Sequence, residues 1–274
     1  MRELCGRAAL ITGASSDVGS RIAQHLAARG LRLVLSGRDD RRLQATKALV
    51  DARGAQAHSV VTDLSDEAAV VALADRAQAH LGEIDVVVHA AARAQTSDFA
   101  SIEVADARAL LWLNVGSPLL LTQRLLPGML RRRRGHVVAV GSMSALLGGA
   151  YQVHYAASKA ALDAAMRGLR AEYRRTGVGF SVVHPGPIRD SDSYTAIADN
   201  HGRVPRLVGE TSLDRVAAAV VRAIENHRPQ SIVMGHTPRP LLALQSVAPR
   251  YAEVLVQASG ISRYFARVAS STRP

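Results

Sequence analysis

Tyr155 and Lys159 stand four residues apart in the alanine-rich stretch from Tyr151 to Arg170, a spacing that puts both on one face of a helix. A free tyrosine titrates near pH 10, too high for a base at neutral pH, and an adjacent ammonium favours the phenolate and lowers that value. The pair therefore reads as a usable acid/base. Ser142, thirteen residues before Tyr155, follows an apolar run, where a hydroxyl can hydrogen-bond a substrate oxygen on which negative charge develops. A Tyr-x-x-x-Lys pair by itself also describes an exposed helix pair. Its agreement with Ser142 and with a glycine-rich turn near the N-terminus favours chemistry, namely proton transfer to or from an oxygen. Ser144 is a second hydroxyl nearby whose spacing to Tyr155 differs.

The glycine-rich turn is Thr12-Gly13-Ala14-Ser15-Ser16-Asp17-Val18-Gly19, between the apolar run Ala8 to Ile11 and the helical run Ser20 to Arg29. Gly13 allows a tight turn at the strand end, and Gly19 lets the helix pack close, leaving N–H groups aimed at a phosphate. Asp17 sits among them. A carboxylate facing phosphate is repulsive, so Asp17 must point away, cap the following helix, or weaken binding.

Elements that position these residues follow from the pattern of the whole chain. Short β-branched runs at Ala8 to Ile11, Leu31 to Leu35, His58 to Val61, Asp85 to Val88, His136 to Val140, Phe180 to Val183 and Ser231 to Met234 alternate with Ala- and Leu-rich helical stretches. That predicts an α/β fold, a doubly wound parallel seven-stranded sheet (Rossmann fold) flanked by helices. Ligands bind such sheets at the carboxyl ends of the strands. A single domain over 1–274 is expected, with 188–212 a lid insertion before a helix starting near Leu213, and 236–274 a C-terminal extension.

In the order Thr-Gly-x-x-x-Gly-x-Gly, then Ser, Tyr thirteen later and Lys four later, the chain resembles the short-chain dehydrogenase/reductase family. Asp17 takes the place of the middle glycine, and His89-Ala90-Ala91-Ala92 replaces Asn-Asn-Ala-Gly after the fourth strand. The resemblance covers about Arg7 to Met234 and implies an NAD(P)-dependent oxidoreductase interconverting an alcohol and a carbonyl, with Asn114, Ser142, Tyr155 and Lys159 as the catalytic set. Pro118 has no N–H for the Asn114 carbonyl, so that carbonyl is expected to be free to hold a water linking Lys159 to solvent; a kinked helix in which Asn114 only packs is the plainer alternative. Cofactor contacts are expected from Gly13, Ser15, Ser16, Val18, Gly19, Arg38, Asp63, Leu64, Ala90, Tyr155, Lys159, Pro185, Gly186 and Ile188. No acid occupies Ser36 or Gly37, and Arg38 can hold the extra phosphate of NADP, so NADP is favoured with NAD as the alternative; a solvated loop cation ahead of an Asp39 helix cap is the competing reading of Arg38. Leu146, Leu147, Tyr151, Val153, Tyr194 and Ile197 suggest a cleft for a moderately large apolar alcohol or ketone. The departures at Asp17 and His89 also admit a non-catalytic, cofactor-sensing binding protein.

Bulk properties bound these readings. The 274 residues hold one cysteine, Cys5, which excludes an internal disulfide and a four-thiolate zinc site and suits a reducing, cytoplasmic compartment; no metal site is expected. A formal charge of +11 raises the question of nucleic acid, yet the densest run, Arg131 to Arg134, ends an expected helix, where cations suit the dipole. No nucleic-acid partner is expected. The tail from His236 carries five arginines against one glutamate among apolar residues, and packing is favoured over contact with an anionic membrane surface. Family members commonly assemble as homodimers or homotetramers, and the same is expected here.

Overall fold

The computed structural model describes residues 4–234 and 239–271, with the side chain of Arg239 omitted. Of the tail, 236–238 and 272–274, including Arg273, lie outside the described residues. Strands β1 (Ala8–Thr12), β2 (Arg32–Gly37), β3 (Ala57–Val61), β4 (Val86–His89), β5 (Gly135–Val140), β6 (Val178–Pro185) and β7 (Gln230–Val233) form one parallel sheet in the order β3-β2-β1-β4-β5-β6-β7. The seven apolar runs each became a strand, and the doubly wound Rossmann arrangement follows. Helices cover both faces, so the central strands are buried on both sides and read as continuous apolar runs.

Successive side chains alternate between two cores. Ala9, Ile11, Leu33, Leu35, Val138 and Val140 pack with α1 (Asp17–Ala27), α2 (Asp40–Asp51) and α9 (Leu213–Asn226). Ala8, Leu10, Val34, Val137 and Phe180 face α3 (Glu67–Leu81), α5 (Ser117–Arg131) and α7 (Val153–Glu172). Helix starts are set locally: Ser16, Asp39, Asp66 and Ser212 each accept a backbone N–H of the first turn. Asp39 is thus the cap expected of it.

Helix α4 (Val104–Leu111) runs into α5 through a π-helical turn, Trp112–Gly116. Pro118, lacking an N–H, follows this bulge, and Ser117 donates its hydroxyl to the Leu113 carbonyl at 2.9 Å. A short helix, α6 (Ser144–Leu147), follows β5. Between β6 and α9 lies α8 (Asp192–His201), whose segment is closed at its neck by a bridge between Ile188 and Thr211 and by Thr211 donating to the Pro187 carbonyl at 2.8 Å.

The tail forms α10 (Arg239–Val247), α11 (Pro249–Ala258) and α12 (Ile261–Ser271). Tyr264 and Val268 of α12 share a small core with Tyr194 and Val204, against which Ile197 packs. The tail therefore packs on the segment that follows β6, and Tyr194 and Ile197 face α12; the expectation that they line an open cleft is corrected. Among the described residues, no helix is long and apolar enough to cross a membrane.

Candidate functional site

Sheet register brings the expected residues to one edge. Thr12 pairs with Ser36 and with His89, His89 with Ala139, Val140 with Val183, and Pro185 with Val233, so the residues after β1, β2, β4, β5 and β6 emerge side by side at the carboxyl edge. The chain reverses its order of laying down strands between β1 and β4, the crevice where doubly wound sheets bind ligands.

Gly13 adopts φ +69°, and a Cβ there would lie 2.6 Å from the Ala91 backbone. A Cβ on Gly19 would lie 2.1 Å from the Gly13 carbonyl oxygen. Only glycine fits either place. Ser16 caps α1, accepting from the Gly19 N–H at 3.1 Å and donating to the Gly13 carbonyl at 2.7 Å. The first helical N–H groups, on Asp17 and Val18, have no carbonyl one turn earlier. Asp17 neither caps the helix nor faces the turn: its carboxylate accepts from Arg42 at 2.6 Å and from the Asp192 N–H at 2.7 Å, while Arg42 also reaches the Asp192 carboxylate at 2.9 Å. Of the three fates open to Asp17, the outward one is realised. The close backbone cradle, the helix N-terminus and the averted carboxylate fit a dinucleotide's pyrophosphate.

Around this cradle, Gly37 leaves room for Ser15, the buried Ser36 hydroxyl has no hydrogen-bond partner among the described residues, and Arg38 is exposed at the end of β2. Asp63 turns back to accept from the Ser65 N–H and hydroxyl, which hold its carboxyl below the ordinary value with Arg38 adding to the effect. The neighbouring Leu64 is buried, and its carbonyl accepts from the Trp112 indole at 3.0 Å. Ala90 packs on the first core, as does Ile188. Gly186 donates to the Val233 carbonyl at 2.9 Å and continues from Pro185 at the end of β6.

Ser142, Tyr155 and Lys159 converge. The Ser142 hydroxyl stands close enough to the Tyr155 phenol to influence its titration, and it accepts from the Ser144 hydroxyl at 2.9 Å. Burial holds the phenol above its ordinary value, and Ser142 works against that shift. Lys159 is buried, lies 5.9 Å from the centre of the Tyr155 ring, and donates to the Val140 carbonyl at 2.8 Å. Burial pushes its ammonium down to about 8. Lys159 is thus tied to the end of β5, and at Tyr155 burial outweighs the lowering expected from the sequence. Asn114, on the π-helical turn, donates from its amide to the Ser158 hydroxyl and to the Arg93 carbonyl, both at 3.0 Å, and accepts the Arg93 N–H at 2.9 Å. Ser158 in turn donates to the Tyr155 carbonyl at 2.7 Å. His89 meets Thr122 at 2.8 Å; burial, with the Lys159 charge acting in the same direction, pushes its imidazole down to about 3, so it stays neutral.

Two partners escape a reading of local motifs. Asp163 follows Lys159 by one further helical turn, and His184 immediately precedes Pro185. Their positions, one helical period and one strand residue from expected site residues, are the signal that could have found them.

Residues 7–201 match the family model described as short chain dehydrogenase. The chain belongs to the short-chain dehydrogenase/reductase family. It is similar, at 30% identity over 250 residues, to dehydrogenase/reductase SDR family member 7B of Xenopus tropicalis, covering 88% of this chain and 81% of that protein. Ketoacyl reductase HetN of Nostoc sp. is 33% identical over 233 residues, 85% of this chain and 80% of that one. Among solved structures, a metagenomic short-chain oxidoreductase in complex with NADP superposes with a TM-score of 0.72 at 28% identity, covering 86% of this chain and all of that one. This short-chain dehydrogenase/reductase brings Ser142, Tyr155 and Lys159 together at one sheet edge.

The buried lysine carries a pH signature. Its folded value of about 8 lies below the ordinary 10.5, so between those values the unfolded chain binds the extra proton, and stability rises with pH. Urea unfolding at pH 7, 8, 9 and 10 should show wild type gaining on Lys159→Met by a few kcal/mol across that window. A stability difference independent of pH would contradict the buried ammonium.

Proposed function

We propose that this chain interconverts an alcohol and a carbonyl on a moderately large apolar substrate, with Tyr155 as acid/base, Ser142 holding the substrate oxygen, and NADP(H) favoured over NAD(H). The observation that carries the reading is the convergence at the end of β5 of Ser142, the Tyr155 ring and the buried Lys159 ammonium, which lies 5.9 Å from that ring and donates to the Val140 carbonyl. When bound, the nicotinamide would supply hydride to the carbonyl carbon in reduction or accept it in oxidation. Tyr155 gives its proton to the carbonyl oxygen as the hydride arrives, and takes one back in the reverse direction. The Ser142 hydroxyl donates to that oxygen while charge builds on it. Lys159, which carries its charge at neutral pH, favours the phenolate once the proton has left. Asn114 supports the helix bearing Tyr155 through Ser158.

Pro185, Gly186 and Ile188 would flank the nicotinamide, and Gly13, Ser15, Ser16, Val18 and Gly19 the pyrophosphate, with Asp63, Leu64 and Ala90 on the adenine side. Arg38, exposed beside the second strand's end, supplies a fork for the NADP phosphate, and the NADP named for the similar metagenomic enzyme supports this choice. Leu146, Leu147, Tyr151 and Val153 line the apolar approach, and 188–212 acts as its lid, a role supported by the closed neck at Ile188 and Thr211. Exposed Phe99, Val104 and Leu111 offer apolar area for a homodimer or homotetramer. The outward turn of Asp17 removes the main motive for a non-catalytic sensor.

Tyr155→Phe should abolish NADPH-dependent turnover of a ketone panel while NADPH still binds with wild-type affinity by fluorescence titration; retained turnover would rule out the assignment. Arg38→Ala should weaken NADPH binding by roughly 10- to 100-fold and leave NADH binding unchanged. Equal losses for both cofactors would refute the phosphate role.

A further inference from the structure

His184 is the penultimate residue of β6, and its side chain is completely buried. Its Nδ1 lies 3.0 Å from the Ser142 carbonyl oxygen, and its Nε2 lies 3.2 Å from Asp163 Oδ1. A carbonyl only accepts, so Nδ1 donates to Ser142, while Nε2 faces the Asp163 carboxylate and the Gln230 amide. Asp163 lies four residues after Lys159 and eight after Tyr155 on α7, hence on the same helix face. The imidazole is therefore a strut between the helix that carries the acid/base and the backbone that carries the serine. We propose that His184, oriented by Asp163, is a positioning residue that holds Ser142 against Tyr155. This rests on the reading above, in which Tyr155 transfers the proton and Ser142 holds the substrate oxygen.

Several features fit the ring to that place. A Cβ on Gly141 would lie 2.6 Å from His184 Nδ1, so the residue before Ser142 must be small for the imidazole to slide beneath the strand end. The last ladder pair between β5 and β6 is Val140 with Val183; the Gly141 N–H still donates to the Val183 carbonyl at 2.7 Å, and the side chain of His184 adds a tie to Ser142 itself. Met143 donates to the Pro185 carbonyl at 3.0 Å, so backbone ties from Gly141 and Met143 flank the one that His184 makes to Ser142. Asp163 is buried, which pushes its carboxyl up, but the hydrogen bond and charge of His184 with Arg167 and Arg170 hold it below the ordinary value. Arg167 reaches the second carboxylate oxygen at 3.4 Å, and the Gln230 amide from β7 lies 3.2 Å from Nε2.

A buried polar pair such as His184 with Asp163 is weak grounds for stability, because well-packed apolar residues of similar volume often do as well. Orientation is what such a pair supplies here. A hydroxyl displaced by about 1 Å from the reacting oxygen loses on the order of 100-fold in rate, and the Ser142 carbonyl is one bond from the Cα that sets the hydroxyl's direction.

A double-mutant cycle tests this with NADPH oxidation by the best ketone of an aliphatic and aryl panel. His184→Phe should lower kcat by roughly 10- to 100-fold with KM for NADPH unchanged. His184→Asn, whose amide occupies the Nδ1 position, should restore most of that loss. In a Ser142→Ala background, His184→Phe should cost nothing further, because the hydroxyl it positions is gone. If His184→Phe fails to fold, His184→Gln, which reaches Asp163 but not the Ser142 carbonyl, replaces it in the cycle. Equal losses in both backgrounds, or an asparagine variant as poor as phenylalanine, would overturn the positioning role alone. Unimpaired turnover of Ser142→Ala by itself would overturn the catalytic reading and this inference with it.

Discussion

The hydrogen bond from Lys159 to the Val140 carbonyl joins the long helix α7 to the end of the central strand β5. An ammonium taken out of water is expensive unless it meets an acceptor, and this carbonyl is the acceptor the fold provides. Satisfying it fixes how far α7 can slide along the sheet. Since Tyr155 precedes Lys159 by one turn, the same bond sets the depth at which the phenol meets Ser142. Asn114 approaches α7 through Ser158 from α5's side, and His184 approaches from β6. The acid/base is thus held through three neighbouring elements, and each contact is specific in donor and acceptor.

A second set of polar contacts governs the opposite half of the edge. Asp17 stands where the family's turn has its middle glycine, and its carboxylate is withdrawn by Arg42 and by the first N–H of α8. The departure links the phosphate-binding turn to the segment after β6, a connection glycine could not make. That segment is itself braced by α12 through Tyr194 and Tyr264, with the Tyr194 hydroxyl held by Glu210 and by the Val204 N–H. Val247, Tyr251, Val254 and Leu255 remain exposed on the outer tail helices. Only part of the tail's apolar surface is therefore used in covering the site segment.

Much of this was legible in the sequence because it is local. Runs such as Ala8 to Ile11 and His136 to Val140 are buried on both faces, so they stay apolar throughout, and helix caps such as Asp39 lie within three residues of the N–H they bind. The Ser142, Tyr155 and Lys159 spacing survives because one strand end and one helix fix it. Less legible were contacts made by residues far apart in the chain. Nothing near Arg42 announces that it will meet Asp192, and a histidine ahead of Pro185 looks like any strand residue until Asp163 is seen across from it. Tyr194 and Ile197 were misjudged because an apolar helix face does not say whether a cleft or another helix covers it. Tyr155 shows a different limit: adjacency to lysine in sequence suggests a lowered phenol, but the direction of the ammonium and the depth of burial are tertiary facts.

The most direct measurement is a crystal structure of the protein with NADP bound. The account predicts the pyrophosphate against Gly13 and the start of α1, the nicotinamide against Pro185 and Gly186, the Tyr155 and Ser142 hydroxyls on one side of its ring, and Asp17 still turned toward Arg42. A dinucleotide lying away from this sheet edge, or a ring that the two hydroxyls do not share, would contradict it.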